Sequence, residues 1–216
     1  SAAVRLARTI TGRERIVASG YFGWLDWNSD AAGVPACTRD LVTWVPFADV
    51  PALEDAVEQG SAPAAIIIEP LVHDIAPKGW LEAARRLADR HGALLIFDEV
   101  KTCFRVCTGG VQALLGVTPD LTAIGKALAN GYPLAAVVGR ADVMDAAMRT
   151  WISSTAAAEA SGLAAASAVL TWHERIDVCD RMATAGGVLQ EIIGSALAEA
   201  PWVGVKAEGP PMMWRL

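Results

Sequence analysis

The chain has 216 residues, enough for one substantial domain or for one domain and part of a second. Hydrophobic residues make up 53%, yet no apolar run approaches the ~20 residues that a membrane-spanning helix needs, so no membrane partner is expected. The net charge of -6 is spread along the chain without a basic cluster, which argues against a nucleic-acid partner.

Residues 1–11 read as a helix, with Val4, Leu6, Ala7 and Ile10 close to the i, i+3, i+4 rhythm. Arg5 and Arg8 lie inside this amphipathic stretch and precede no apolar run, so a secretory leader is not expected. A short strand follows at 15–18, then a loop over 20–35 rich in Gly, Trp, Asp and Asn. The stretch 46–59 includes a helix for which Asp49 is the cap and Pro51 lies in the first turn. Two continuous apolar runs, 64–68 and 93–97, suit strands of a sheet covered on both faces. Between them 79–91 is helical, so strand, helix and strand predict a parallel pair with a right-handed crossover. A third such strand is expected at 134–138, a long helix at 156–173 and another at 178–198. Something new begins at Pro201, interrupted by Pro210 and Pro211. The class is α/β.

Four cysteines (Cys37, Cys103, Cys107, Cys179) form no CxxC pair and the histidines form no HExxH, so no metal site is expected. Reduced thiols of a cytoplasmic enzyme are the plain reading. The sharpest local feature is Asp98-Glu99 at the end of an apolar strand, where ligand sites of open α/β sheets sit. Such an acid either caps the following turn or meets a cation. Gly125-Lys126 comes later. A lysine flanked by apolar residues is either an exposed loop lysine or an amine nucleophilic toward carbonyls. It is not a phosphate-binding P-loop, because Asp120 stands where the first glycine should be and Ala127 replaces the Ser/Thr.

Together these residues resemble a known family. Asp98-Glu99-Val100-Lys101-Thr102-Cys103-Phe104-Arg105 is similar to a strand-end segment of the class III aminotransferases and glutamate-semialdehyde aminomutases. Pro119-Asp120-Leu121, Gly125-Lys126 and Gly131-Tyr132-Pro133-Leu134 resemble their Schiff-base segment. Arg5 to Arg8, Thr11-Gly12-Arg13, Gly20-Tyr21-Phe22-Gly23-Trp24, Ile68-Glu69-Pro70 and Ser153-Ser154-Thr155 extend the likeness over nearly the whole chain.

The resemblance implies the three-layer large domain of fold-type I enzymes dependent on pyridoxal 5'-phosphate (PLP). Its sheet would be mostly parallel with helices on both faces, followed by the start of a small α/β C-terminal domain. Residues 1–177 would form the large domain, and 178–216 the connecting helix and that start. Lys126 would hold PLP as a Schiff base and move the substrate's α proton. Asp98 would pair with the pyridine nitrogen and keep the ring an electron sink. Tyr21 would stack on one ring face and Val100 pack on the other. Glu69 would organise polar contacts, and Thr155 would reach the phosphate held by the neighbouring subunit of a homodimer.

Three positions depart from the pattern. Phe22 replaces a common histidine in the cofactor loop, losing polar contacts. Lys101 stands near the ring hydroxyl where Gln or Met is frequent, and either tunes the Schiff base or points to solvent. Cys103 replaces a glycine and restricts the turn if that position needs positive φ. The family's glycine-containing phosphate cup would precede Ser1, and its small domain would continue past Leu216, so the chain is expected to be a fragment. The implied activity is transfer of an amino group from a small-molecule donor to a carbonyl acceptor. An aminomutase shifting the group within one substrate is the alternative, and a non-catalytic or cofactor-free fragment is another.

Overall fold

The computed structural model describes residues 1–199 and 205–216. Helix α1 (Ala2–Thr11) buries Ala3, Val4, Leu6 and Ala7 and leads into strand β1 (Ile16–Ser19). After a loop come α2 (Ala36–Arg39), β2 (Val42–Trp44) and α3 (Val50–Glu58). Asp49 caps α3 as its position before Pro51 predicts, with Oδ1 accepting from Ala52 N at 2.9 Å. Then follow β3 (Ala65–Ile68), α4 (Lys78–His91), β4 (Leu94–Asp98), α5 (Gly110–Leu115) and β5 (Leu121–Ile124). The last elements are β6 (Ala136–Gly139), α6 (Ala141–Met144), α7 (Ala160–Arg175) and α8 (Val178–Glu199).

The six strands form one sheet in the order β2-β1-β3-β4-β5-β6. Every pairing is parallel except the last, β5 with β6, which is antiparallel. Alternate residues of each central strand feed two cores. Val17, Ile66, Ile68, Leu95 and Phe97 pack with Leu53 of α3 and Trp80, Leu81 and Leu87 of α4. Ile16, Ala18, Ile67, Leu94 and Ile96 pack with Leu6 of α1 and Val143 of α6. Both faces are covered, so β3 and β4 read in sequence as unbroken apolar runs.

Five elements were not anticipated, among them the four-residue helices α2 and α6. Strand β2 lies at the sheet edge and is half-exposed, β5 carries the polar Thr122, and α5 has only 6 residues. The strand expected at 134–138 starts two residues later and runs antiparallel. Asp120 locks this side of the sheet. Its buried carboxylate accepts from Leu95 N, Arg85 Nη1 and Arg140 Nη1, each at 2.8 Å, and so joins α4, β4, β5 and the end of β6. Part of the segment expected to begin at Pro201 lies outside the described residues. From residue 205 onward Glu208 and Arg215 pair through their backbones, and Met212 and Met213 pack against the first core. Among the described residues no helix is long and apolar enough to cross a membrane.

Candidate active site

Because β1, β3, β4 and β5 run parallel, their carboxyl ends share one edge. Ser19 pairs in register with Ile68, Ile68 with Phe97, and Phe97 with Thr122. One to four residues beyond this line stand Tyr21, Glu69, Asp98 and Lys126. The register alone therefore gathers four candidates from distant parts of the chain.

Asp98 ends β4. Its Oδ1 accepts from Val100 N at 3.0 Å, and no other protein group among the described residues hydrogen-bonds to the carboxylate. Burial pushes its pKa up, and the negative charge of Glu69 adds to this; the Val100 N–H, Lys126 and the Ser1 amino group pull the other way. Lys126 follows β5 and opens a short 3-10 turn, Lys126–Leu128. Its φ of 44° lies in the left-handed region, a strained setting for a residue with a side chain, and such strain gathers at functional sites. Among the described residues its amine has neither an ion pair nor a hydrogen bond, and the residue is exposed. Val100 lies alongside, since a Cβ placed on Gly125 would come 3.5 Å from Val100 Cγ1.

Glu69 is 3% exposed yet fully partnered. Its Oε1 pairs with Lys101 Nζ, and its Oε2 accepts from Tyr21 N at 3.1 Å. Gly20 makes this approach possible: its φ is 128°, and a Cβ there would overlap Glu69 Cβ. Tyr21 is 69% exposed and lines a cavity of about 380 Å³ with Trp24, Asn28, Asp30 and Trp44. Phe22 is turned the other way, stacking on Trp27 and Trp44 with ring centroids 6.0 and 6.2 Å apart, and packing against the second core.

Thr155 is not brought to this group. It is exposed between α6 and α7, and among the described residues no hydrogen bond links it to Asp98, Lys126 or Glu69. Glu99 belongs to the scaffold. It is completely buried and accepts from Thr102 Oγ1, from Val111 N at 2.9 Å and from Gln112 N at 2.8 Å, holding the first turn of α5. Of the two strand-end acids, one caps and the other faces the site. In the turn that follows, the left-handed residue is Phe104, with φ 61°, and Cys103 is spared. The Cys103 thiol is pushed up to about 12, first by burial and then by the Glu99 charge, and donates to Thr108 O at 3.4 Å. The pairing of Lys101 with Glu69 was invisible in the sequence, because it joins loops after different strands and no local motif records it.

Residues 48–206 match the family described as Aminotransferase class-III. Over 220 residues the chain is 36% identical to the 3-aminobutyryl-CoA aminotransferase of Cloacimonas acidaminovorans, covering 98% of this chain and 53% of that protein. Over 163 residues it is 44% identical to the glutamate-1-semialdehyde 2,1-aminomutase of Symbiobacterium thermophilum, covering 66% of this chain and 38% of that one. Its fold is similar to that of the FumI protein of Sphingopyxis sp. MTA144 in its PLP internal aldimine form. The TM-score is 0.90 at 30% identity, covering 98% of this chain and 53% of the other. The chain spans about half the length, or less, of the curated relatives it matches.

Proposed function

We propose that this chain, which belongs to the class III aminotransferase family, is the cofactor-binding part of a PLP-dependent aminotransferase with Lys126 as its covalent anchor. The observation that carries this reading is the juxtaposition at one sheet edge of a lysine amine with no ion pair or hydrogen bond among the described residues and a buried carboxylate with acceptor capacity to spare. That donor set fits PLP: the amine suits its carbonyl, and a buried carboxylate facing a ring N–H⁺ would no longer be uncompensated.

When bound, PLP would supply a carbonyl that takes up amino groups and a protonated ring that withdraws electrons from the substrate's α carbon. The protein residues do the rest. Asp98 would hold the proton on the ring nitrogen. Lys126 Nζ would first anchor the carbonyl and, once displaced, would act as the base that takes the proton from the substrate's α carbon and as the acid that returns it. Tyr21 would cover one face of the ring and Val100 the other, limiting water at the reacting atoms. Phe22, turned into the core, would act by fixing the base of the Tyr21 loop.

The substrates would be a small-molecule amino donor and a keto or aldehyde acceptor, handled in the cytoplasm. An aminomutase is the second reading, favoured by the identity to the semialdehyde aminomutase given above. Release of a keto product in a single turnover would decide for the aminotransferase. We also propose a homodimer in which Thr155 of one subunit faces the cofactor phosphate of the other. The exposure of Thr155, with Met148, Trp151 and Ile152 exposed nearby in the chain, supports this. The cofactor-binding part would end near residue 177, with α8 leading toward a smaller domain.

The test is to mix the protein with PLP, reduce with borohydride and locate the modified peptide by mass spectrometry. Label on Lys126 that is lost in Lys126→Ala is the expected result. Label spread over surface lysines, or none in the full-length protein, would remove the PLP reading.

A further inference from the structure

Two carboxylates, Glu69 and Asp98, leave neighbouring parallel strands at the same edge and sense each other's charge. Glu69 is 3% exposed. In water such a pair would simply be solvated. Here desolvation makes two negative charges at one site costly unless a cation answers one of them. The answering cation is Lys101, three residues past Asp98, whose Nζ pairs with Glu69 Oε1 while its side chain keeps 32% of its exposure. The other oxygen of Glu69 holds Tyr21 N at 3.1 Å. One lysine thus reaches two features of the site through one carboxylate: the charge that Asp98 meets and the seat of the Tyr21 loop.

We propose that Lys101 is a positioning residue that acts through Glu69, opposing the negative charge presented to Asp98 and holding the Tyr21 loop against the strand ends. This rests on the cofactor-site reading above but assigns Lys101 a task different from either expected for it, since it neither points freely to solvent nor needs to touch the ring. The charged groups that bear on Asp98 are Glu69, Lys126 and the Ser1 amino group, and Lys101 enters through its pair with Glu69. Removing the lysine would leave Glu69 buried and unpaired and would raise the cost of charging Asp98 further. At neutral pH that loosens the very acid meant to stay ionised. Arginine, with its permanent charge, would keep the pairing.

The experiment uses the cofactor-free protein, with its aspartate and glutamate carboxyl carbons labelled with ¹³C. In Lys101→Met the Asp98 resonance should titrate at higher pH than in the parent protein. The melting temperature should fall by roughly 5–10 °C at pH 8, discounted for the partial exposure of Lys101. At pH 4.5, where carboxyls take up protons, the loss should shrink to under about a third of that. Glu69→Gln placed in the Lys101→Met background should bring the Asp98 titration back down to its parent position or below it, because the Glu69 charge is felt in the parent too, and Lys101→Arg should leave it at the parent position. A melting loss equal at both pH values, an unmoved Asp98 titration, or no rescue by Glu69→Gln would each overturn the proposal and leave Lys101 a packing residue. Because no cofactor is present, these outcomes are independent of whether PLP labels Lys126. Trapping can fail with the charge coupling intact, or succeed with it absent, so the two readings fall separately.

Discussion

Asp98 carries a burial that nothing within the protein offsets fully, and its raised pKa has a consequence for stability. A carboxylate whose folded-state pKa lies above its unfolded value holds its proton more tightly when folded. Stability is therefore lost as pH rises from the ordinary aspartate range through the raised value, and the full penalty applies above it. Asp98→Asn should stabilise the cofactor-free protein at pH 7–8 and lose that advantage as pH falls below about 4. Each ~1 kcal/mol relieved would raise the melting temperature by about 2–4 °C for a chain of this size. Melting curves across that range check it; an advantage that grows on acidification would contradict the sign. The same variant should release PLP more readily, a stability-for-function exchange expected of a site residue. Much of this was legible in the sequence. Two acids at the end of an apolar strand and a glycine-lysine pair after the next strand are local patterns. Asp98 was named by the family resemblance, but the local pattern alone did not say which acid faces the site, because that choice depends on where the α5 backbone amides point.

At the scale of elements, Glu99 shows why. Helix α5 begins with Gly110, whose φ is 75°, and a Cβ at that position would come 2.6 Å from the Glu99 carboxylate. The carboxylate fills the space a side chain would take and accepts the N–H groups of Val111 and Gln112. Glu99→Ala would orphan those donors and the Thr102 hydroxyl in a buried place, at a cost of about 2–4 kcal/mol. Gly110→Ala should also destabilise, by at least ~1 kcal/mol from backbone strain alone. Urea unfolding measures both, and borohydride trapping on Lys126 should persist in each below the unfolding midpoint, since neither touches that side of the edge. Loss of trapping in a folded Glu99→Ala variant would place Glu99 in the site after all. The sequence showed α1 and α4 through their apolar spacing, α3 through its cap, and α7 and α8 as long unbroken stretches, whereas α5 is too short to have a period. Strand β5 was hidden by Thr122, which sits in the sheet by hydrogen bonding to Gln112 at 3.0 Å and not by being apolar.

For the whole molecule, the apolar surface between α6 and α7 bears on assembly. Met148 is 90% exposed and Trp151 80%, far more than a lone chain would be expected to leave in one short segment. If this segment meets a second copy, the double substitution Met148→Glu and Trp151→Glu should convert a dimer into a monomer in light scattering and weaken PLP retention about tenfold or more. A dimer that survives it would move the interface elsewhere. The parallel topology was readable from strand-helix-strand spacing, but the order of the strands was not, because β1 inserts between β2 and β3 with no sequence cue. That order has a bearing on how the molecule comes into being. The edge that gathers Tyr21, Glu69, Asp98 and Lys126 draws on parallel pairings that each span a crossover, so loop closure must precede them and folding should be slower than for a helical chain. Until β5 has left the ribosome, the apolar strand β4 waits without its last partner and is exposed to aggregation. A slip of one residue between β4 and β5 would turn Asp98 to the opposite face and bring Glu99 to its place. Covalent capture of PLP by Lys126, as proposed above, would thus also be a measure of folding fidelity: it would count only those chains whose sheet has closed in register.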